Sequence, residues 1–476
     1  MGHHHQSAQD SIHRFIETYN SEYLLPGISP ALVLPQLNTT QKVLYDNYLK
    51  LQKTPGGHQY WWHFQFLEGP YYFQLLKGTD RQQNKLTFLL FGENHDFNDK
   101  GQCSLLDAPL TVSNVTPIIT YIQHLAQNTP NFLDIYVEFP QVAKNKPLEN
   151  LVSLSNEVAK SVLHVFIKKP QLFPVTLQSF VQENNTKKES VLEHFFTTFQ
   201  HCFEPTQQQA LNVECQLARF HFLDIRQNMT PYTPNSPLHF MDRLEVVQPL
   251  LNQFTEVDPN TRDYWWVPYM ITKTTNKYAF VRFGVHHFLK FFGLYSFLQK
   301  LAKQQPSFSG LKSLSLAIRS IPVLQQEFST SAGNPQVRRA ILEFLSQKLE
   351  EYIHPAKLRL QWSTLVQRGG DTGQTSVKVL LDAVKFISSY FFLLNSTLMD
   401  CYCLCRIFRF FTPDKKHELE QPSKPSTIVI YTGAAHTMRY FQFLKYLSAK
   451  QLFFPTYVTQ NINDNPVISC VKLPVK

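Results

Sequence analysis

Four short apolar runs, each ending abruptly in polar residues, constrain this chain more than any other feature. Lys85-Leu-Thr-Phe-Leu-Leu-Phe runs into Gly92-Glu-Asn-His95, and Phe132-Leu-Asp-Ile-Tyr-Val runs into Glu138-Phe-Pro. Phe220-His-Phe-Leu runs into Asp224-Ile-Arg226, and Thr427-Ile-Val-Ile-Tyr-Thr runs into Gly433-Ala-Ala-His436. Short continuous runs rich in β-branched and aromatic residues are the mark of strands buried on both faces. Helix-like spacing follows the first run (Val115 to Gln127) and the last (Thr437 to Ser448). The expected fold class is therefore α/β, with a mainly parallel central sheet flanked by helices.

The intervals between runs lengthen along the chain. The first fits a single crossover helix, whereas the second and third require large helical insertions. Leu148 to Lys168, Ser190 to Phe203 and Gln207 to Arg219 are expected to fill the second. Phe280 to Lys303, Leu311 to Glu327, Gln336 to Ile353 and Thr375 to Phe411 are expected to fill the third. Four regions result: an N-terminal helical and hairpin extension over 1–80, a first part of the core over 81–230, a helical insertion over 231–420, and the last part of the core over 421–476. Within the extension, Gln59 to Phe66 and Tyr71 to Leu76 form a candidate hairpin around Glu68-Gly-Pro that leads into the main sheet.

In an open parallel sheet, ligands bind beyond the carboxyl ends of the strands. Glu93, His95, Glu138, Asp224, Arg226 and His436 are thus expected at one edge, although they lie far apart in sequence. Gly92 allows a tight bend and close approach to a ligand. Two Gly-x-x-His turns on two strand ends make a shared site, with His95, Glu138 and His436 the candidate metal ligands. A carboxylate at the tip of an apolar strand needs a partner. Arg226 is suited to an anionic group or a developing oxyanion, with Asp224 orienting a base. His221 falls on the opposite strand face from Asp224 and is set aside. Asp400 and Arg406, charges inside the apolar stretch Phe386 to Phe411, are expected to pair with each other or with site residues. The Cys401-x-Cys403-x-Cys405 spacing is too tight for a zinc turn, and Trp61-Trp62 and His286-His287 read as packing residues.

The chain has 476 residues and a net charge of +9, but its Lys and Arg are scattered, which argues against a nucleic-acid groove. The apolar stretch near 400 is interrupted by charges, so no transmembrane segment is expected. Seven cysteines, an odd number without framework spacing, and a start without an apolar leader point to a reducing, cytoplasmic setting. Gly2 lacks the Ser or Thr at position six that myristoylation favours, Gln6 standing there.

Gly-Glu-x-His after a first strand, a Glu ending the next and a late Gly-x-x-His resemble the superfamily of Tiki-type proteases, erythromycin esterases and ChaN-like haem-uptake proteins. The likeness covers Phe88 to His95, Ile135 to Glu138 and Ile428 to His436. Phe220 to Arg226 and Asp400 to Arg409 are more similar to proteins of giant DNA viruses. The resemblance implies a hydrolase acting on a small-molecule or peptide substrate. Its water would be activated by a divalent metal (Mn, Zn, Co or Fe), or by His95 as general base held by Glu93. It also leaves open a haem- or ligand-binding module, or an inactive viral or host-interaction scaffold whose protein partner meets the helical insertion.

Overall fold

The computed structural model describes mainly residues 37–53, 66–93, 115–140, 213–225, 265–272, 277–283, 307–330, 335–368, 377–411, 422–462 and 470–473, with a few positions near 103 and 194–202. In chain order its elements are α1 (Thr39–Lys53), β1 (Phe66–Glu68), β2 (Tyr72–Asp80), β3 (Lys85–Glu93), β4 (Val115–Pro117), α2 (Ile118–Asn128) and β5 (Leu133–Pro140). There follow α3 (Val213–Leu217), β6 (Ala218–Asp224), β7 (Trp265–Thr272), β8 (Lys277–Phe283), α4 (Gly310–Ser320), α5 (Pro322–Thr330), α6 (Pro335–Tyr352), α7 (Pro355–Arg368) and α8 (Val377–Ile407). The chain closes with β9 (Thr427–Gly433), α9 (Ala434–Ala449), β10 (Phe453–Ile462) and β11 (Cys470–Lys472).

The central sheet has six strands in the order β10-β2-β3-β9-β5-β6. The four strands expected from the apolar runs are its parallel core, β3-β9-β5-β6. The sheet is mixed, because β2 and β10 add to it antiparallel. β9 is buried along its whole length, as a strand with a parallel neighbour on each side and helices over both faces must be. Phe88, Leu90, Tyr136, Ile428 and Ile430 pack on one face against α8 and α9. Leu89, Phe91, Ile135, Val137, Val429 and Tyr431 pack on the other against α2. β9 is the last core strand in sequence yet lies between the first two. The three strand ends that matter for the site therefore become neighbours only when the C-terminal segment joins.

Several expectations change. β1 pairs with β11 and β4 in a separate three-stranded sheet and not with β2, while Gln59 to Gln65, most of the expected first arm of the hairpin, lie outside the described residues. Gln207 to Arg219 does not run through as a helix: α3 stops at Leu217 and Arg219 already belongs to β6. Phe280 to Phe283 is strand β8, paired with β7, where a helix was expected. The expected helix Leu311 to Glu327 is two helices. Pro322, tolerated only in a first helical turn, starts the second. α6 and α8 match their expected spans closely, and α7 is additional. The described residues of Ser190 to Phe203 are helical, with Phe195 and Phe199 buried on the α2 face. Leu148 to Lys168, Trp61-Trp62 and His286-His287 lie outside the described residues.

The cysteines also depart from expectation. Cys103 is joined to Cys470 and Cys202 to Cys215. β11 lies against β1, whose Glu68 accepts the Cys103 backbone N–H, and this brings together two cysteines 367 residues apart. Four of the seven cysteines are thus bridged, which removes the cysteine argument for a reducing compartment. Cys401, Cys403 and Cys405 are free and buried in α8. No helix among the described residues is long and apolar enough to cross a membrane.

Candidate functional site

Three chain segments meet where β9 gives way to α9. Glu93, the last residue of β3, is in register with Gly433 on one side of β9. On the other side, Glu138 near the end of β5 accepts the Gly433 backbone N–H through Oε2 at 2.8 Å. Gly433 is the N-cap of α9, so this carboxylate sits at the positive end of the helix, a favourable place for negative charge. Local packing fixes the turn. Thr437 donates to the Phe91 carbonyl at 3.0 Å and contacts the Thr432 hydroxyl at 2.8 Å, tying the first turn of α9 to both strands. A Cβ on Gly92 would stand 2.8 Å from Ala434 Cα. Gly92 and Ala434 are small because β3 and α9 touch there; the close approach is to the helix rather than to a ligand.

His436 is the hub. Its Nδ1 lies 2.6 Å from Asp400 Oδ1, and its Nε2 lies 3.7 Å from Glu138 Oε1. Asp400 comes from the C-terminal third of α8 and is fully buried; its other oxygen accepts from Arg439, which also donates to Ser396 Oγ at 3.2 Å. Burial alone would raise the Asp400 carboxyl, but Arg439 and His436 outweigh it and hold it below the ordinary carboxylate value. Burial alone would depress His436, but Asp400 and then Glu138 outweigh it, so its pKa is raised. Its surroundings therefore favour the charged form more than water does, with Nδ1 on Asp400 and Nε2 facing a carboxylate.

The described members of the expected cluster are only partly brought together. Glu138 and His436 come together on the α8/α9 face. Glu93 is buried too, but its Oε2 accepts the Tyr431 hydroxyl, and the Tyr431 ring packs on the α2 face. The two glutamates flank Gly433 yet leave the sheet by opposite faces. Asp224 is buried at the end of β6, in register with Pro140 and two strands from β9. His95 and Arg226 lie outside the described residues. Asp400 and Arg406 do not pair with each other. Asp400 joins the site, whereas Arg406 joins Glu327 at 3.0 Å and His221 at 3.1 Å.

Asp400 was expected to pair with Arg406 or with site residues, and the second outcome holds; Arg439 was missed. Asp400 was visible as a charge within an apolar helix, which burial obliges to find a partner. Arg439 stands three residues after His436, hence on the same helix face. Nothing in the sequence marks Tyr431 apart from the rest of its apolar strand.

A divalent metal fits part of this geometry. His436 Nε2 and Glu138 Oε1 face each other, and a carboxylate on the far ring nitrogen is the usual support of a metal-bound imidazole. Among the described residues no group of three or more His, Cys, Asp or Glu is arranged to hold a metal ion, and His95, the third candidate ligand, falls outside them. Comparison of the chain with protein-family models, with curated proteins and with solved structures found no match.

Proposed function

We propose that the chain is a hydrolase whose water is activated between Glu138 and His436 at the carboxyl edge of the sheet. The observation that carries this reading is the oriented Asp400–His436 pair, whose Nε2 stops 3.7 Å from Glu138 Oε1. That separation is too long for a direct hydrogen bond and leaves the two groups facing a common point. Asp400 fixes the ring and its tautomer. Glu138 takes a proton from water, and the charged His436 gives one to the leaving group, a division of labour that environment-tuned neighbours perform in acid–base catalysis. A divalent ion, if held by His436, Glu138 and His95, would lower the pKa of bound water. In that case Asp400 would still orient the ring.

The test is a panel of carboxylic esters, peptides and phosphoesters, run on wild type, Glu138→Gln and His436→Ala with metal content measured in parallel. Hydrolysis that falls at least about 100-fold in both variants is expected, the usual size of a lost acid or base. Turnover that both variants retain would overturn the reading. Stoichiometric Mn, Zn, Co or Fe lost in both variants would select the metal version.

One observation favours a second reading, a binding scaffold without catalysis. Glu93 accepts the Tyr431 hydroxyl on the opposite sheet face from His436, so among the described residues the two do not share one cluster. A folded protein with no turnover on the panel, wild type and variants alike, would select it, and the haem- or protein-binding roles would then be the ones to pursue.

A further inference from the structure

β10 ends the central sheet, and its surroundings are unlike those of the other strands. From Phe454 to Val458 every residue is exposed, so neither face of the strand is covered there. Phe454, Tyr457, Val458 and Ile462 are each 40–48% exposed. Among the described residues no strand pairs with the outer edge of β10. Such an edge presents a row of free N–H and C=O groups to any strand that can reach it.

Proteins usually protect long edge strands with Lys or with Pro. β10 reads Phe-Phe-Pro-Thr-Tyr-Val-Thr-Gln-Asn-Ile and carries no charged side chain. Its Pro455 lies at the start, where the register with β2 shifts between Pro455 and Tyr457. Tyr457 to Ile462 then runs in regular register against Lys77 to Tyr72. By that register Val458, Gln460 and Ile462 share the α8/α9 face with Leu76, Gln74 and Tyr72, and Tyr457, Thr459 and Asn461 share the α2 face. Asn461 reaches the Lys472 carbonyl from the α2 face, so β11 is met over that face.

We propose that this edge is a homodimer interface, formed by antiparallel pairing of β10 with β10 of a second copy. The occupant is chosen by charge and symmetry. A strand meeting its own copy places like residues near like, which charged strands resist and this uncharged one does not. Antiparallel pairing about a twofold axis closes with one partner and satisfies both edges at once. An axis beside Gln460 sets Val458 opposite Ile462 of the partner subunit on one face, pairing two exposed β-branched residues that are now in water. One sheet then runs through both copies, and in each copy β2 and β3 stand between the contact and the ends of β9 and β5, so no proposed site residue takes part in the pairing. The inference is therefore independent of the hydrolase reading.

The experiment is light scattering after size exclusion on the full chain over a range of concentrations, beside Val458→Lys and Tyr457→Lys. Wild type is expected at twice the mass of the 55.4 kDa chain. Each lysine variant should shift to the single-chain mass with an unchanged circular dichroism spectrum. Hydrogen exchange on wild type keeps the test open should a variant fail to fold. Amides of 453–462 should gain protection as concentration rises, and exposed control peptides such as 355–368 should not. A wild type of single-chain mass at every concentration, a dimer that both folded variants keep, or no concentration-dependent protection in 453–462 would each overturn the proposal. Protection that appears only with a different macromolecule bound would overturn it in favour of a heterologous strand.

Discussion

Helix α8 feeds two buried histidine networks at opposite ends of the same sheet face, and they differ in one respect that matters. At the carboxyl edge, Asp400 holds His436 by Nδ1, and the other ring nitrogen faces Glu138. At the amino edge, Asp134 holds His221 by Nε2 at 2.8 Å, and the other ring nitrogen faces Arg406 at 3.1 Å. One imidazole lies between two acids, the other between an acid and a guanidinium. Burial pushes His221 down first, and Arg406 and Arg219 add to it against the pull of Asp134, to a pKa of about 3. Burial also opposes His436, but two carboxylates reverse it. His221 must remain neutral, accepting from Arg406 and donating to Asp134. It is also stacked between Tyr136 and Phe411 and is all but inaccessible. Around it, Glu327 binds both Arg406 and Arg409, and Arg219 lies 3.7 Å over the Phe411 ring. The amino-edge network clamps α5 and α8 to β5 and β6. The carboxyl-edge network leaves the second nitrogen facing Glu138 Oε1 at 3.7 Å. A buried Asp–His pair is therefore not diagnostic by itself; the group on the second nitrogen decides its role.

The largest expected effect breaks the clamp. Asp134 is fully buried, and Arg219 at 2.7 Å and His221 share one of its oxygens. Asp134→Ala leaves the Arg219 cation without its partner in a dry setting, which should cost about 3–5 kcal/mol in urea unfolding. Activity per folded molecule should be unchanged. A variant within about 1 kcal/mol of wild type, or one that folds normally and loses turnover, would remove the distinction between the two ends.

Next in size are opposite pH slopes. The folded chain keeps His221 neutral down to about pH 3, whereas an unfolded imidazole takes up its proton near 6.5. Below 6.5 the unfolded state binds the proton that the folded state refuses, so this group's contribution to stability falls as pH drops through that window. Each unit of the difference is worth about 1.4 kcal/mol. His436 has the reverse sign. Its folded pKa is raised, so its contribution is fully present below 6.5 and is lost as pH rises through the folded value. Urea unfolding at about pH 5 and about pH 7.5 should show His221→Phe losing less stability on acidification than wild type, and His436→Gln losing more. Matching slopes in the two variants would refute the opposite directions in which the two rings are shifted.

What was legible in the sequence follows from range. Each of the four core strands is a local apolar run with a polar end, and burial leaves that mark within seven to nine residues. The strand order does not, because β9 inserts between β3 and β5 only after α4 to α8 have been made. The convergence of Glu138 and His436 followed from the rule for strand ends. The departure of Glu93 to the other face did not, because it depends on how each strand is phased about β9. Asp400 was conspicuous as a charge in an apolar helix, yet its partner is set by how α8 crosses the sheet. The Cys103–Cys470 bridge spans 367 residues and follows from the β1–β11 pairing, which no local pattern announces. β10 escaped notice because four of its five apolar residues, all but Phe453, face water, which erases the alternation by which a strand is read.

The smallest of the three effects separates the two networks by geometry alone. Gly92→Ala places a methyl 2.8 Å from Ala434 Cα and 3.1 Å from its Cβ, and the nearer atom is backbone that cannot rotate away. The start of α9 must shift, at a cost of about 1–3 kcal/mol for an overpacked contact. Because α9 carries His436 and Arg439 while α8 carries Asp400, that shift lengthens the hydrogen bond on which the raised pKa of His436 rests. His221, between β5 and the far end of α8, is not linked to this turn. Histidine ring signals followed by NMR titration should show His436 moving towards an ordinary imidazole pKa in Gly92→Ala, with His221 unaltered. A common displacement of both rings would mean that α8 couples the two ends, and that the carboxyl edge is tuned by the clamp at the other end.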